Sequence, residues 1–107
     1  LEEKKLHMTE SINLSSISVD SFVEKEKINI KDFNHWVIDL QGAELLALKG
    51  GNKSLDECNS ILIEVSTGEV YKNGAKWNDI KNYLNRKNFK ECWLPKKVHS
   101  SVLFIKN

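Results

Sequence analysis

Asp39 follows Trp36, Val37 and Ile38, and Glu64 follows Ile61, Leu62 and Ile63. Each acid stands at or near the carboxyl end of a short apolar run rich in β-favouring side chains, the pattern of a strand covered on both faces. Open parallel sheets bind ligands in the crevice beyond the carboxyl ends of their strands, so two acids in corresponding places are a candidate catalytic pair. A carboxylate on an apolar strand is costly unless it is paired or functional, which favours Glu64 as a general base or acceptor-binding group. Asp39 has a competing structural role, as a turn former or as the cap of a helix beginning at Ala43. Between the two acids, Gln41 offers an amide to a ligand, and Glu44 falls in the first turn of a helix. A carboxylate there is stabilised in any case by roughly 0.3 to 1 kcal/mol. Tyr71 and Lys72 fall in a loop rich in Gly and Asn, placed to reach an acceptor hydroxyl.

These groups need a scaffold, and the spacing supplies one. The residues from Ser11 to Ser18 alternate loosely and predict an irregular strand. Val19, Phe22 and Val23 then recur at helical spacing behind Ser18, a good capping residue, and predict a short helix over 19–26. The strand of Trp36–Asp39 leads to a helix over 43–49, with Gly50 and Gly51 expected as its left-handed stop. A helical turn over 53–58 and a strand over 60–65 follow. Trp77, Ile80 and Leu84 share one face of a helix over 76–87, after which Asn88 suits a left-handed position. Strands over 89–94 and 101–105 close the chain around Pro95. Helices alternating with strands imply a parallel or mixed sheet, and the last two strands imply an antiparallel edge.

The composition narrows the function classes. The chain has 107 residues, of which 40% are hydrophobic and 29% charged, as expected of one globular α/β domain with a modest core. Its 16 basic and 15 acidic residues leave a formal charge of +1, with no basic face interleaved with aromatics, so no nucleic-acid partner is expected. No apolar run approaches the roughly 20 residues that span a bilayer, and nothing resembles a secretory leader, so a cytoplasmic location without membrane contact is expected. Cys58 and Cys92 lie far from metal-ligand spacing, and His7, His35 and His99 show no partner in sequence. No metal box is expected of them. The cysteines are expected to be reduced packing residues, and Trp36, Trp77 and Trp93 to be core. The chain starts at Leu1, not Met, and residues 1–10 carry no periodicity. They are expected to be a frayed lead-in on a piece of something longer.

The run from Ile38 to Gly50 (Ile-Asp-Leu-Gln-Gly-Ala-Glu-Leu-Leu-Ala-Leu-Lys-Gly), the Ile61–Val65 strand, Tyr71 and the segment from Trp77 to Phe89 together resemble the second half of the FkbM-type methyltransferases. The segment from Ile17 to Phe22 resembles the Leu-Asp-hydrophobic element that the family carries upstream. Val37 departs from the lysine common two residues before the strand acid, and Asn88-Phe89 replaces a Gly-Phe pair. The resemblance implies that 11–107 is a partial methyltransferase domain, the carboxyl-terminal half of a Rossmann-like class I sheet supplying its fourth to seventh strands.

It also implies S-adenosylmethionine as cofactor, with Asp39 and Gln41 near its methionine end, Asp39 and Glu64 catalytic, and Glu44 and Tyr71 toward the acceptor. The acceptor is expected to be a hydroxyl of a sugar or small metabolite. No Gly-x-Gly element occurs in the 107 residues, so the loop that grips the cofactor's ribose is expected to lie in an absent amino-terminal half. The open edge of the Trp36–Asp39 strand is then expected to be covered, by the 11–18 segment, by a second copy of the chain, or by the remainder of the protein. Two rival readings are a noncatalytic methyltransferase remnant that dimerises or binds a partner, and an unrelated α/β domain in which Asp39 and Glu64 hold a cation.

Overall fold

A computed structural model describes residues 16–68 and 76–107. Ser16 to Ser18 is not strand. Instead Ser18 sits in extended backbone and caps the first helix, α1 (Val19–Lys25), its hydroxyl accepting from Ser21 N at 3.1 Å. The rest of the expected first strand, and the lead-in, lie outside the described residues. A turn of 3-10 helix (Ile30–Asp32) leads to β1 (His35–Ile38), which stops one residue before Asp39. Helix α2 (Glu44–Gly50) follows, then a second 3-10 turn (Ser54–Glu57) and β2 (Ser60–Ser66). Helix α3 (Trp77–Arg86) precedes β3 (Phe89–Glu91) and β4 (His99–Lys106).

The four strands form one mixed sheet in the order β1-β2-β4-β3. β1 and β2 are parallel, with Trp36 opposite Ile61 and Ile38 opposite Ile63. β4 runs antiparallel to both of its neighbours, β2 and β3. The expected antiparallel pair is therefore present at one edge, but the strand that runs against all others is the inner one, and the edge strand β3 shares the direction of β1 and β2.

One face of the sheet carries the core. Ile38, Ile61, Ile63, Val65, Val102 and Phe104 bury there against Leu48 of α2 and Ile80 and Leu84 of α3. The alternate residues, Val37, Leu62, Leu103 and Ile105, point the other way and stay exposed or half-buried. Strand alternation thus puts Asp39 and Glu64 on the less covered side.

The Gly50-Gly51 pair does not act as a left-handed stop. Gly50 is the last residue of α2, and Gly51 has φ −106°, its N–H bonding back to Ala47 and Leu48 carbonyls. A side chain at Gly51 would meet the Trp36 ring and Val19 at 3.3 Å, and one at Gly50 would meet Ser18 at 3.2 Å. The pair is needed for close approach of α1 and β1, a packing demand that a cap pattern does not reveal. Asn88, by contrast, has φ 72° as expected. Two packing expectations also fail: Cys92 is exposed, whereas Cys58 is fully buried, and Trp93 lies at the surface while Trp36 and Trp77 pack against the core. No helix among the described residues is long and apolar enough to cross a membrane.

Candidate functional site

The parallel register of β1 and β2 decides where the acids go. Ile38 faces Ile63, so Asp39 and Glu64 are the next residues on two adjacent strands and share the carboxyl rim of the sheet. One carboxylate oxygen from each of Asp39, Glu44 and Glu64 lies within 4.8 Å of the others. Oxygen donors so grouped suit a hard cation, and they equally suit the sharing of protons.

Glu44 is only 3% exposed, and both its oxygens are engaged locally. Oε2 accepts from Leu40 N at 2.7 Å and Oε1 from Gly42 N at 3.0 Å. These bonds hold the tight turn after Asp39, in which Gln41 and Gly42 take φ values of 51° and 108°. Asp39 does not cap α2, whose N-cap is Ala43 without a side-chain bond. It is exposed at the mouth of the site, as is Gln41.

Glu64 meets a partner that sequence spacing did not supply. His99, at the start of β4, places Nε2 2.5 Å from Glu64 Oε2, and its Nδ1 lies 3.4 Å from Ser66 Oγ. Antiparallel pairing of Ser66 with His99 creates this contact. Residues 33 positions apart carry no local signal of such a pairing, which is why the histidine looked partnerless. His35, at the opposite end of β1, contacts Ser60 Oγ and stays away from the acids.

The carboxyl of Glu64 is held above the usual glutamate range, first by its hydrogen bond with Asp39, then by burial and by the charge of Asp39, with His99 opposing. Glu64 Oε1 is buried, and no donor among the described residues reaches it. Tyr71 and Lys72 lie outside the described residues.

The model of the methyltransferase FkbM domain matches residues 4–91. The chain belongs to the FkbM methyltransferase domain family. The match takes in Asp39, Gln41, Glu44, Glu64 and Tyr71 and ends before His99, so within this FkbM domain chain the histidine that faces Glu64 comes from beyond the matched segment. No curated protein matches the chain, and no solved structure does. Family membership supports a methyltransferase-related function.

Proposed function

We propose that the chain forms the acceptor-facing part of an S-adenosylmethionine-dependent O-methyltransferase acting on a hydroxyl of a saccharide or small metabolite. One observation supports this reading above others: in a chain of this family, the carboxyls of Asp39 and Glu64 meet at the carboxyl rim of two parallel strands, with His99 against Glu64.

The donor set fits one end of the cofactor. Asp39 presents an exposed carboxylate, and Gln41 an exposed amide on a left-handed turn, suited to the ammonium and carboxylate of the methionine moiety. The nucleoside end needs a close-approach glycine loop, for which this chain has no Gly-x-Gly sequence. We assign that part to residues outside this chain, packed along the β1 edge. When bound, the cofactor supplies a methyl group on a positively charged sulfur.

The residues of this chain then have distinct tasks. Glu44 fixes the turn that carries Asp39 and Gln41. Asp39 orients the amino-acid end and, by its hydrogen bond and charge, holds the Glu64 carboxyl above the usual glutamate range. Glu64 in its ionised form takes the proton of the acceptor hydroxyl as that oxygen gains the methyl group, and His99 shares the proton so gained.

The test is turnover and binding in a protein that contains both halves. Asp39→Ala is expected to lower turnover by well over tenfold, and Glu64→Gln by about 10²-fold, with melting temperatures maintained. Calorimetry is expected to show S-adenosylmethionine binding to the longer protein and none to this chain alone. Wild-type turnover in Asp39→Ala removes that residue from the site, and binding in neither protein points to a noncatalytic remnant.

A further inference from the structure

The connection between β3 and β4 carries groups that the carboxylate rim does not use. A cavity of about 460 Å³ opens where this connection turns into β4, lined by Trp93, Lys96, Lys97, His99, Ser100 and Ser101. Its volume is that of a small-ligand site. His99 joins it to the candidate site, since the same side chain that lines the cavity lies against Glu64.

Trp93 is 44% exposed, yet its ring is not free to turn away, because Nε1–H donates to Ser101 O at 2.9 Å. A fixed, exposed indole offers its electron-rich face to the weakly positive C–H bonds of a pyranose ring. Neither Lys96 nor Lys97 pairs with a carboxylate among the described residues, so two positive charges stand at this end. Glu64 and Asp39 lie beyond His99 at the other. Ser100 adds a hydroxyl whose Oγ is buried without a hydrogen-bond partner. A ligand bearing an anion at one end and a free hydroxyl at the other is aligned by this polarity, and the reversed ligand is repelled by the carboxylates.

We propose that the cavity between Trp93 and His99 binds an anionic saccharide, its ring on Trp93, its anionic group at Lys96 and Lys97, and a hydroxyl directed past His99 toward Glu64. This rests on the methyltransferase reading of the same site and gives its acceptor a chemical class.

The test needs no cofactor. The full chain, labelled with ¹⁵N, is titrated with D-glucuronate, with a glucose monophosphate and with the neutral methyl β-D-glucoside, following the Trp93 indole N–H. Saturable shifts are expected with the two anionic sugars, about tenfold tighter than with the neutral one. Lys96→Gln with Lys97→Gln should bring the anionic sugars to the affinity of the neutral sugar, and Trp93→Ala, read from the backbone amides of Ser100 and Ser101 that line the same cavity, should remove binding of all three. The two arms also show whether a carboxylate or a phosphate is preferred. Equal affinities for charged and neutral sugars, or no saturable shift at Trp93, overturn the proposal. Saccharide binding without methyl transfer by any longer protein would sink the earlier reading alone, and transfer to a neutral acceptor without these shifts would sink only this one.

Discussion

Glu64 is the residue on which the electrostatics of the rim turn, and its effect on stability has a definite sign. Its carboxyl is held above the usual range by Asp39 and by burial, so the folded chain binds that proton more tightly than the unfolded chain does. The resulting contribution is fully present below the ordinary glutamate range and is lost as pH rises through the raised value. Glu64→Gln keeps a hydrogen-bonding amide in place without a titrating proton. Its melting temperature is therefore expected to equal or exceed that of the wild type at neutral pH, the advantage vanishing in acid. Thermal denaturation across pH checks this, and a variant less stable at neutral pH would mean that the ion pair with His99 outweighs the carboxyl repulsion. Glu44 carries the opposite expectation. Glu44→Ala strips two charge-assisted bonds from the Leu40 and Gly42 amides and is expected to cost about 2 to 3 kcal/mol in chemical denaturation, with Glu44→Gln in between because it can satisfy only one of them.

At the scale of elements, the acids at strand ends were legible because a strand has a simple period, and an apolar run broken by one carboxylate stands out against it. The contact of Glu64 with His99 was not, because it depends on β4 being inserted between β2 and β3. Nothing local in the hairpin from Phe89 to Lys106 specifies which of its strands lies inside. The glycine pair after α2 misled for a related reason: its role is set by Trp36 and Val19 from other elements. The same non-local logic places Asp20. An acid in the first turn of a helix predicts by itself only a favourable dipole interaction, yet the Asp20 carboxylate accepts from Lys53 N, Ser54 N and Ser54 Oγ at 2.8, 2.8 and 2.6 Å and ties α1 to the second 3-10 turn. Burial pushes the carboxyl of Asp20 up, but the Ser54 hydroxyl and the two amides outweigh it and leave it below the usual range. That contribution is present above the ordinary aspartate range and lost as pH falls through the lowered value. Asp20→Ala is expected to destabilise by about 2 kcal/mol at neutral pH, with the difference shrinking in acid, as urea titrations at two pH values would show. A constant difference would assign the effect to packing instead.

The whole molecule has one side that its described residues leave apolar and open. β1 is an edge of the sheet, and Ile17, Phe33, Val37, Leu40 and Leu46 around it are all at least 48% exposed, Val37 reaching 68%. An edge strand of a parallel pair offers unpaired backbone groups as a template, and here no lysine, proline or bulge within His35–Ile38 discourages pairing. Studied by itself at high concentration, this chain is therefore expected to associate through β1, two copies aligning their edges and shielding that apolar belt. Val37→Lys places a charge on the outward face of the strand, away from the core row of Trp36 and Ile38, so the fold should survive while association weakens by about tenfold or more. Sedimentation velocity over a concentration series measures this directly. A wild-type chain that stays monomeric, or a variant that associates equally well, would place any self-contact elsewhere on the surface and leave the β1 edge for a partner outside this chain.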